Sequence, residues 1–573
     1  MHIQRALVLR SASILAALSV FALGANAQQF PVCPVPGSNG PDVIVGDLNG
    51  VQNYPASAGL DAIALGTTSC NIGNVWLNWF ASTNQHPVIG GGVFKYKVVD
   101  GAGRFEQLGQ SWLKHGFFAL SDNLCCSNCS ATDGTHLGVG CSDPYTAGRN
   151  GDQGGLGPKW QVNANTGAYT YPPPHPVGGN NGRIQMDQTR LENSSANLRY
   201  FGEMQYVTPD DSAANNNDNN TSYRELSYNG STFAFIGGTQ RMKAGIEAWK
   251  AIDPAVNQQT VIVPEGSSSP FDGNAKLILS SRATDIGNGM WHYEYALYNQ
   301  NSDRGVRSSQ VPVPATAGVI NVGFNDVAYL GGDGIGNLNF DGTDWGWTNS
   351  GGFLKWEALQ SFAQNPSTNA LRWGSTYTFR FDANVAPTSG TATLGQFKVV
   401  NSVAVTNVDV PGNGSGGSVL ATFCRGDGSG GACPCGNNGI ANHGCANSVW
   451  GDGGLLTATG TASVSADTVV LNSSFLSGAS CVFFLGDAQA GPVVVDDGLG
   501  CVSGSIVRLG TKPVGGAASS FPQPGDPSIA VRAAIPAGGG TRYIQCFYRN
   551  AVGAFCPPAT SNRTNGVIAV YAP

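Results

Sequence analysis

Charge is scarce in this chain. Asp, Glu, Lys and Arg make up 12% of its 573 residues, about half of the ~25% usual in globular proteins. The formal net charge is −7 and no run of Lys or Arg breaks the sequence. A weakly acidic surface without basic clusters has no electrostatic footprint for a phosphate backbone, which excludes nucleic acid as a main partner. Beyond the N-terminus no stretch approaches the ~20 apolar residues that a membrane helix needs, so no membrane span is expected. Local catalytic signatures are also missing. There is no H-E-x-x-H, no G-x-x-x-x-G-K-[ST], no G-x-S-x-G and no C-x-x-C-H, so zinc-helix peptidases, P-loop enzymes, serine-elbow hydrolases and covalent haem have no support.

What is present begins with an export signal. "MHIQRALVLR" carries Arg5 and Arg10, "SASILAALSVFALG" is an apolar run too short to span a bilayer, and Ala25-Asn26-Ala27 places small residues at −3 and −1. The pattern predicts a secretory signal peptide over 1–27, cleaved after Ala27, and a secreted, extracellular protein. Polarity comes from Asn, Ser and Thr, and glycine, at 80 residues, is about twice its usual ~7%.

The fourteen cysteines fall into two sets. Cys33, Cys70, Cys125, Cys126, Cys129 and Cys141 lie near the start, and Cys424, Cys433, Cys435, Cys445, Cys481, Cys501, Cys546 and Cys556 near the end. Even counts in an exported chain predict disulfides for all fourteen, formed within each set; the connectivity stays open. Cys126-x2-Cys129-x6-His136-x4-Cys141 has something of a zinc knuckle, but its central gap is wrong. Export into an oxidising compartment also removes the thiolates that zinc requires.

The expected fold is mainly β and multidomain: antiparallel β-sandwich domains with a few short helices, the first and last domains stapled by disulfides. Residues 28–170 read as an N-terminal domain holding cysteines and histidines, 171–186 as a Pro/Gly linker, and 187–401 as a central β-sandwich. Residues 402–420 read as a Gly/Ser linker and 421–573 as a disulfide-rich C-terminal β-sandwich module. In the centre, "KLILSSRATDIGNGMWHYEYALYNQNSD" predicts a hairpin with "GNG" at its turn. Trp291, Tyr293, Tyr295 and Leu297 share one face of its second arm, and His292, Glu294, Ala296 and Tyr298 the other. "STYTFRFDANVAPTSGTATLGQFKVV" predicts a second hairpin, and "QRMKAGIEAWKAI" and "FLKWEALQSF" two short helices. Seven short apolar runs, "SIAVRAAI" among them, predict the strands of the last module.

Three histidines lie close in sequence: His86, His115 and His136. Neutral imidazoles are common ligands of Cu and Zn, and three with an open position make a catalytic metal site; the alternative is three ordinary hydrogen-bonded histidines. "GGDGIGNLN" nearly matches one calcium-binding β-roll repeat, with Gly336 where a ligand Asp belongs. Asp333, Asp341 and Asp344 could hold one Ca²⁺, or only shape a turn. Trp345 and Trp347 could stack on a sugar ring or plug the core. Arg425-Gly426-Asp427 spells an adhesion tripeptide and reads as chance.

"MWHYEYALYNQNSDRGVRSSQVPVP", "NALRWGSTYTFRFDANVAP" and "FCRGDGSGGACPCGN" resemble recurrent segments of large secreted proteins of unknown function from planctomycetes and other environmental bacteria. The resemblance implies an exported, multidomain architecture with a cysteine-rich C-terminal accessory module, and it carries no activity and no site residues. Two functional classes follow. One is a secreted or cell-surface β-protein that binds a polysaccharide, matrix polymer or cell-surface component. The other is a secreted metalloenzyme using Cu or Zn at His86, His115 and His136 on an extracellular polymer.

Overall fold

In a computed structural model, residues 30–571 are described apart from 31, 154–155, 174–181, 196, 266–273, 288, 335–337, 413–418, 430, 553–554 and 557–559. The expected signal peptide, half of the 171–186 linker with His175, and the glycine-serine stretch 413–418 lie outside the described residues. Within them, the chain folds mainly as antiparallel sheets with a few short helices, and disulfides tie its N-terminal and C-terminal regions. No described helix is long and apolar enough to cross a membrane.

The first sheet has ten strands. Its centre is Val88–Val99, "VIGGGVFKYKVV", paired without a break to Arg199–Val207 from Val88↔Val207 to Arg199↔Tyr96. The glycines are needed there, since a Cβ at Gly91 would come within 2.1 Å of Met204 Sδ. The strands Ile184–Asp187, Arg199–Val207, Thr221–Tyr228 and Phe233–Phe235 all belong to this sheet. The boundary expected at 170 is therefore wrong: proline and glycine at 171–183 mark an excursion, and the first unit continues past Phe235. Cross-strand pairing at long range outweighs the local linker signal.

Two five-stranded sheets form the central sandwich. Tyr293, Tyr295 and Leu297 of one sheet meet Trp356, Leu394 and Val408 of the other in a shared core, each buried side chain contributing about 1.5–3 kcal/mol. The hairpin Asn274–Gly287 to Met290–Asn299 forms, with Gly287 and Gly289 at positive φ. The expected second hairpin does not. Ser375–Ala383 and Pro387–Gln396 lie in different sheets, so "NVAP" carries the chain across the sandwich. Ser402–Pro411, expected as linker, is an edge strand beside Pro387–Gln396. "FLKWEALQSF" contains the strand Phe353–Glu357, because Leu354 and Trp356 alternate with Lys355 and Glu357 and bury one row. The helix expected over 240–252 is reduced to Glu247–Ile252.

The last unit spans Val419–Phe423 to Gly566–Tyr571, with sheets of six, three and two strands. "SIAVRAAI" holds the short helix Ile529–Arg532, capped by Ser528, instead of a strand. Disulfides join Cys33–Cys126, Cys70–Cys125 and Cys129–Cys141 in the first unit. Cys424–Cys501, Cys433–Cys445 and Cys435–Cys556 join the last. Cys481 and Cys546 are buried free thiols, which corrects the expectation that all fourteen are paired. Cys481 lies opposite Tyr548, and Cys546 opposite Phe483. That diagonal separates Cα atoms by ~7–8 Å, beyond the usual disulfide span.

The central strand Met290–Asn299 is covered on both faces. Ala296 and Tyr298 point away from the sandwich core and pack on Phe94, Phe105 and Phe201 of the first sheet. Toward the other end of that face the row turns polar, at Glu294 and His292.

Candidate functional site

The three histidines do not form a metal centre. The His86 and His115 rings lie 4.1 Å apart, but their nitrogens face backbone carbonyls. His86 Nδ1 is 2.8 Å from the Pro87 oxygen and Nε2 is 3.1 Å from the Phe117 oxygen. His115 Nε2 is 3.0 Å from the Thr83 oxygen. Burial, and then the neighbouring His115, push His86 down to about 3, so it is uncharged. His136 packs instead on Trp76 and Phe80. Among the described residues no three His, Cys, Asp or Glu side chains are grouped to hold a metal ion.

The calcium expectation fails similarly. Buried Asp333 accepts from Trp112 Nε1 and from the Leu330 amide, whereas Asp341 closes a turn on the Thr343 amide and hydroxyl. Asp344 lies instead in the fields of Arg380 and Arg190. The two tryptophans part company. Trp345 is core, stacked on Phe324 at 5.5 Å with its indole donating to the Asn369 carbonyl at 3.0 Å. Trp347 is only partly buried and walls a cleft.

That cleft, of about 320 Å³, lies where the three units meet. The hairpin end Val99–Arg104 of the first sheet, the polar end of the central sheet, and the loop around Arg425 and the strand Ala488–Val495 of the last unit all reach it. The central contribution follows from the period of two. His292 is the register partner of Asp382, and Glu294 of Arg380, so alternate residues on neighbouring strands present four ionisable groups on one face. A register shift between Ile320 and Gly323 places Asn321 at φ 53° beside them.

A continuous polar chain results. Arg104 Nε donates to both Glu294 oxygens at 3.3 Å. Glu294 Oε2 is 2.9 Å from His292 Nε2, and His292 Nδ1 is 2.6 Å from Asp382 Oδ1. Asp382 Oδ2 accepts from Asn321 Nδ2 at 2.5 Å. Burial pulls the imidazole down, but the hydrogen bonds it donates to Asp382 and Glu294 outweigh it and raise His292 to about 9. The imidazolium is thus held at both nitrogens and offers no lone pair to a metal or a proton at neutral pH.

Around this chain are groups with unused capacity. Arg380 lies flat over Gly323, where a Cβ would be 2.4 Å from its Cζ. Among the described residues neither Arg380 nor Arg425 forms an ion pair, and Arg425 Nε and Gln489 Oε1 are buried without a hydrogen-bond partner. A second cavity, about 300 Å³, is lined by Trp160, Phe340, Phe362 and Phe397. Its Arg372 is already engaged, 3.5 Å over Phe340 and donating to the Pro366 and Thr368 carbonyls.

The sequence places His292 in the alternating second arm of a hairpin, and nothing in it singles out Arg104, Arg380 or Gln489. The signal was legible in two strands: "WHYEY" and "FRFDA" each place ionisable residues at alternate positions between aromatics. Their meeting with Arg104, 190 residues from Glu294, was not.

No family model matches the chain, and no curated protein matches it. Among solved structures, a serine-rich repeat protein from Streptococcus agalactiae is similar at 8% identity over 64% of this chain and 92% of that one. The TM-score is 0.15, too low to carry an argument about fold or function.

Proposed function

We propose that the chain is an exported, disulfide-stapled β-protein that binds an extracellular polymer through the cleft between its three units. The observation that carries this reading is the set of buried polar atoms without partners at Arg425 and Gln489, in a cleft walled by Trp347 and beside Arg380, which forms no ion pair among the described residues. Buried polar atoms are normally hydrogen-bonded, and a ligand would satisfy these. The cleft's volume is that of a small-ligand or chain-end site, and its lining, rich in charged and amide side chains with Trp347, Val322 and Pro492 supplying apolar surface, suits a polar ligand. His292, locked between two carboxylates, favours binding over catalysis. The paired disulfide sets and the resemblance to exported bacterial proteins support an extracellular setting.

The metalloenzyme reading loses its support with the geometry of His86, His115 and His136. Affinity electrophoresis of the mature, oxidised protein through gels containing soluble polysaccharides tests the proposal. Retardation by at least one polymer, relieved in Trp347→Ala, is expected. Retardation unchanged by Trp347→Ala would place the binding elsewhere.

A further inference from the structure

The cleft also carries information about its ligand. Resting on the binding reading above, we infer that the group it takes is a sugar ring bearing a carboxylate, a uronate residue of an acidic polysaccharide. Arg380 and Arg425 form no ion pair among the described residues, although Arg380 lies in the fields of Glu294, Glu106, Asp382 and Asp344, and a guanidinium fork matches a carboxylate in two parallel hydrogen bonds. The acids nearby are not their partners. Asp382 is taken by His292 and Asn321, Glu294 by Arg104 and His292, and Glu106 by Lys95 and Arg190, while Asp344 is exposed and reaches Arg380 only through its field. Asp427 holds Ser429 and the Asn442 amide, and Asp100 is exposed on a turn at the rim.

A bare anion would leave the cleft half used. Gln489 Oε1 is an unsatisfied acceptor, so the ligand must also donate, as a hydroxyl does. Trp347 and the neighbouring Val322 and Pro492 offer an apolar wall to the C–H face of a ring. Negative charge, a hydroxyl donor and a flat apolar face coincide in a uronate. The exposed charges elsewhere need play no part, because the chain as a whole is weakly acidic and repels polyanions at long range.

Calorimetry on the full mature chain, disulfides intact, tests this with four probes: polygalacturonate, its methyl ester, a sulfated dextran and a neutral dextran. Polygalacturonate alone should bind well, with affinity falling at least tenfold in both Arg380→Met and Arg425→Met. Arg425 stands in a loop and Arg380 in a central strand, so the Arg425 variant tests the point if Arg380→Met fails to fold by circular dichroism. Equal binding of the acid and its ester would overturn the anion assignment while leaving polymer binding intact. Binding of the sulfated dextran alone would overturn the carboxylate. Binding of none would overturn both this inference and the reading it rests on.

Discussion

His292 and Asp382 face each other across neighbouring strands, Nδ1 to Oδ1 at 2.6 Å. Glu294 closes the other side of the ring, with Arg104 and Arg380 beyond it. His292 is raised to about 9 in the folded protein, above the ordinary ~6.5. The imidazolium therefore stabilises the fold fully below about pH 6.5, and that contribution is lost as pH rises through about 9. Wild type should lose about 2–3 kcal/mol over this window relative to His292→Gln. Urea titrations at four pH values from 6 to 10 measure it; parallel curves for the two proteins would refute the coupling.

Trp345 and Trp347, two residues apart, should respond oppositely to truncation. Trp345→Ala removes a stacked core side chain and should cost roughly 3–5 kcal/mol, lowering the melting temperature. Trp347→Ala should leave melting nearly unchanged and weaken polymer binding about tenfold. A large stability loss in both would make Trp347 a core residue and nothing more.

Cys481 and Cys546 should appear as two thiols when the unreduced protein is unfolded in guanidinium with Ellman's reagent, and as none while it is folded. Cys546, by hydrogen bonding, draws the Cys481 thiol down to about 7, but both are buried. A count of zero in denaturant would mean that all fourteen cysteines are paired.

Truncation tests the first sheet. A fragment ending at Thr170 lacks Arg199–Val207, which covers the Val88–Val99 strand along nine paired residues, and it should not fold. A fragment through Pro411 keeps both the sheet and the sandwich that covers it, and should melt cooperatively. Native-like dispersion in an NMR spectrum of the shorter fragment would show the boundary at 170 to be real.

Periodicity in the sequence exposed the strands whose neighbours are near in the chain. Tyr293, Tyr295 and Leu297 form the expected row, and the "GNG" turn closes the expected hairpin. Periodicity was silent on partners far away, so Ser375–Ala383 and Pro387–Gln396 read as a hairpin although they belong to opposite sheets. The candidate site suffered most from this. Clustering in sequence drew attention to His86, His115 and His136, whose nitrogens turn to nearby carbonyls. The residues that do converge, Arg104, His292, Arg380, Arg425 and Gln489, come from five separate stretches. Pairing and packing alone bring them together.

The two-sided burial of the Met290–Asn299 strand has a consequence for inheritance. The Tyr298 hydroxyl donates a hydrogen bond to Glu203, and the Trp373 indole donates to the Val162 carbonyl, so the first sheet and the sandwich are stitched by core as well as by polar bonds. Gene shuffling could not exchange one without exposing the other's aromatic face. The last unit meets its neighbours through a smaller apolar seam, Ile320 against Tyr543 and Val570. It is the piece a genome could attach to other proteins intact, and each transfer would place a new partner's surface opposite Arg425.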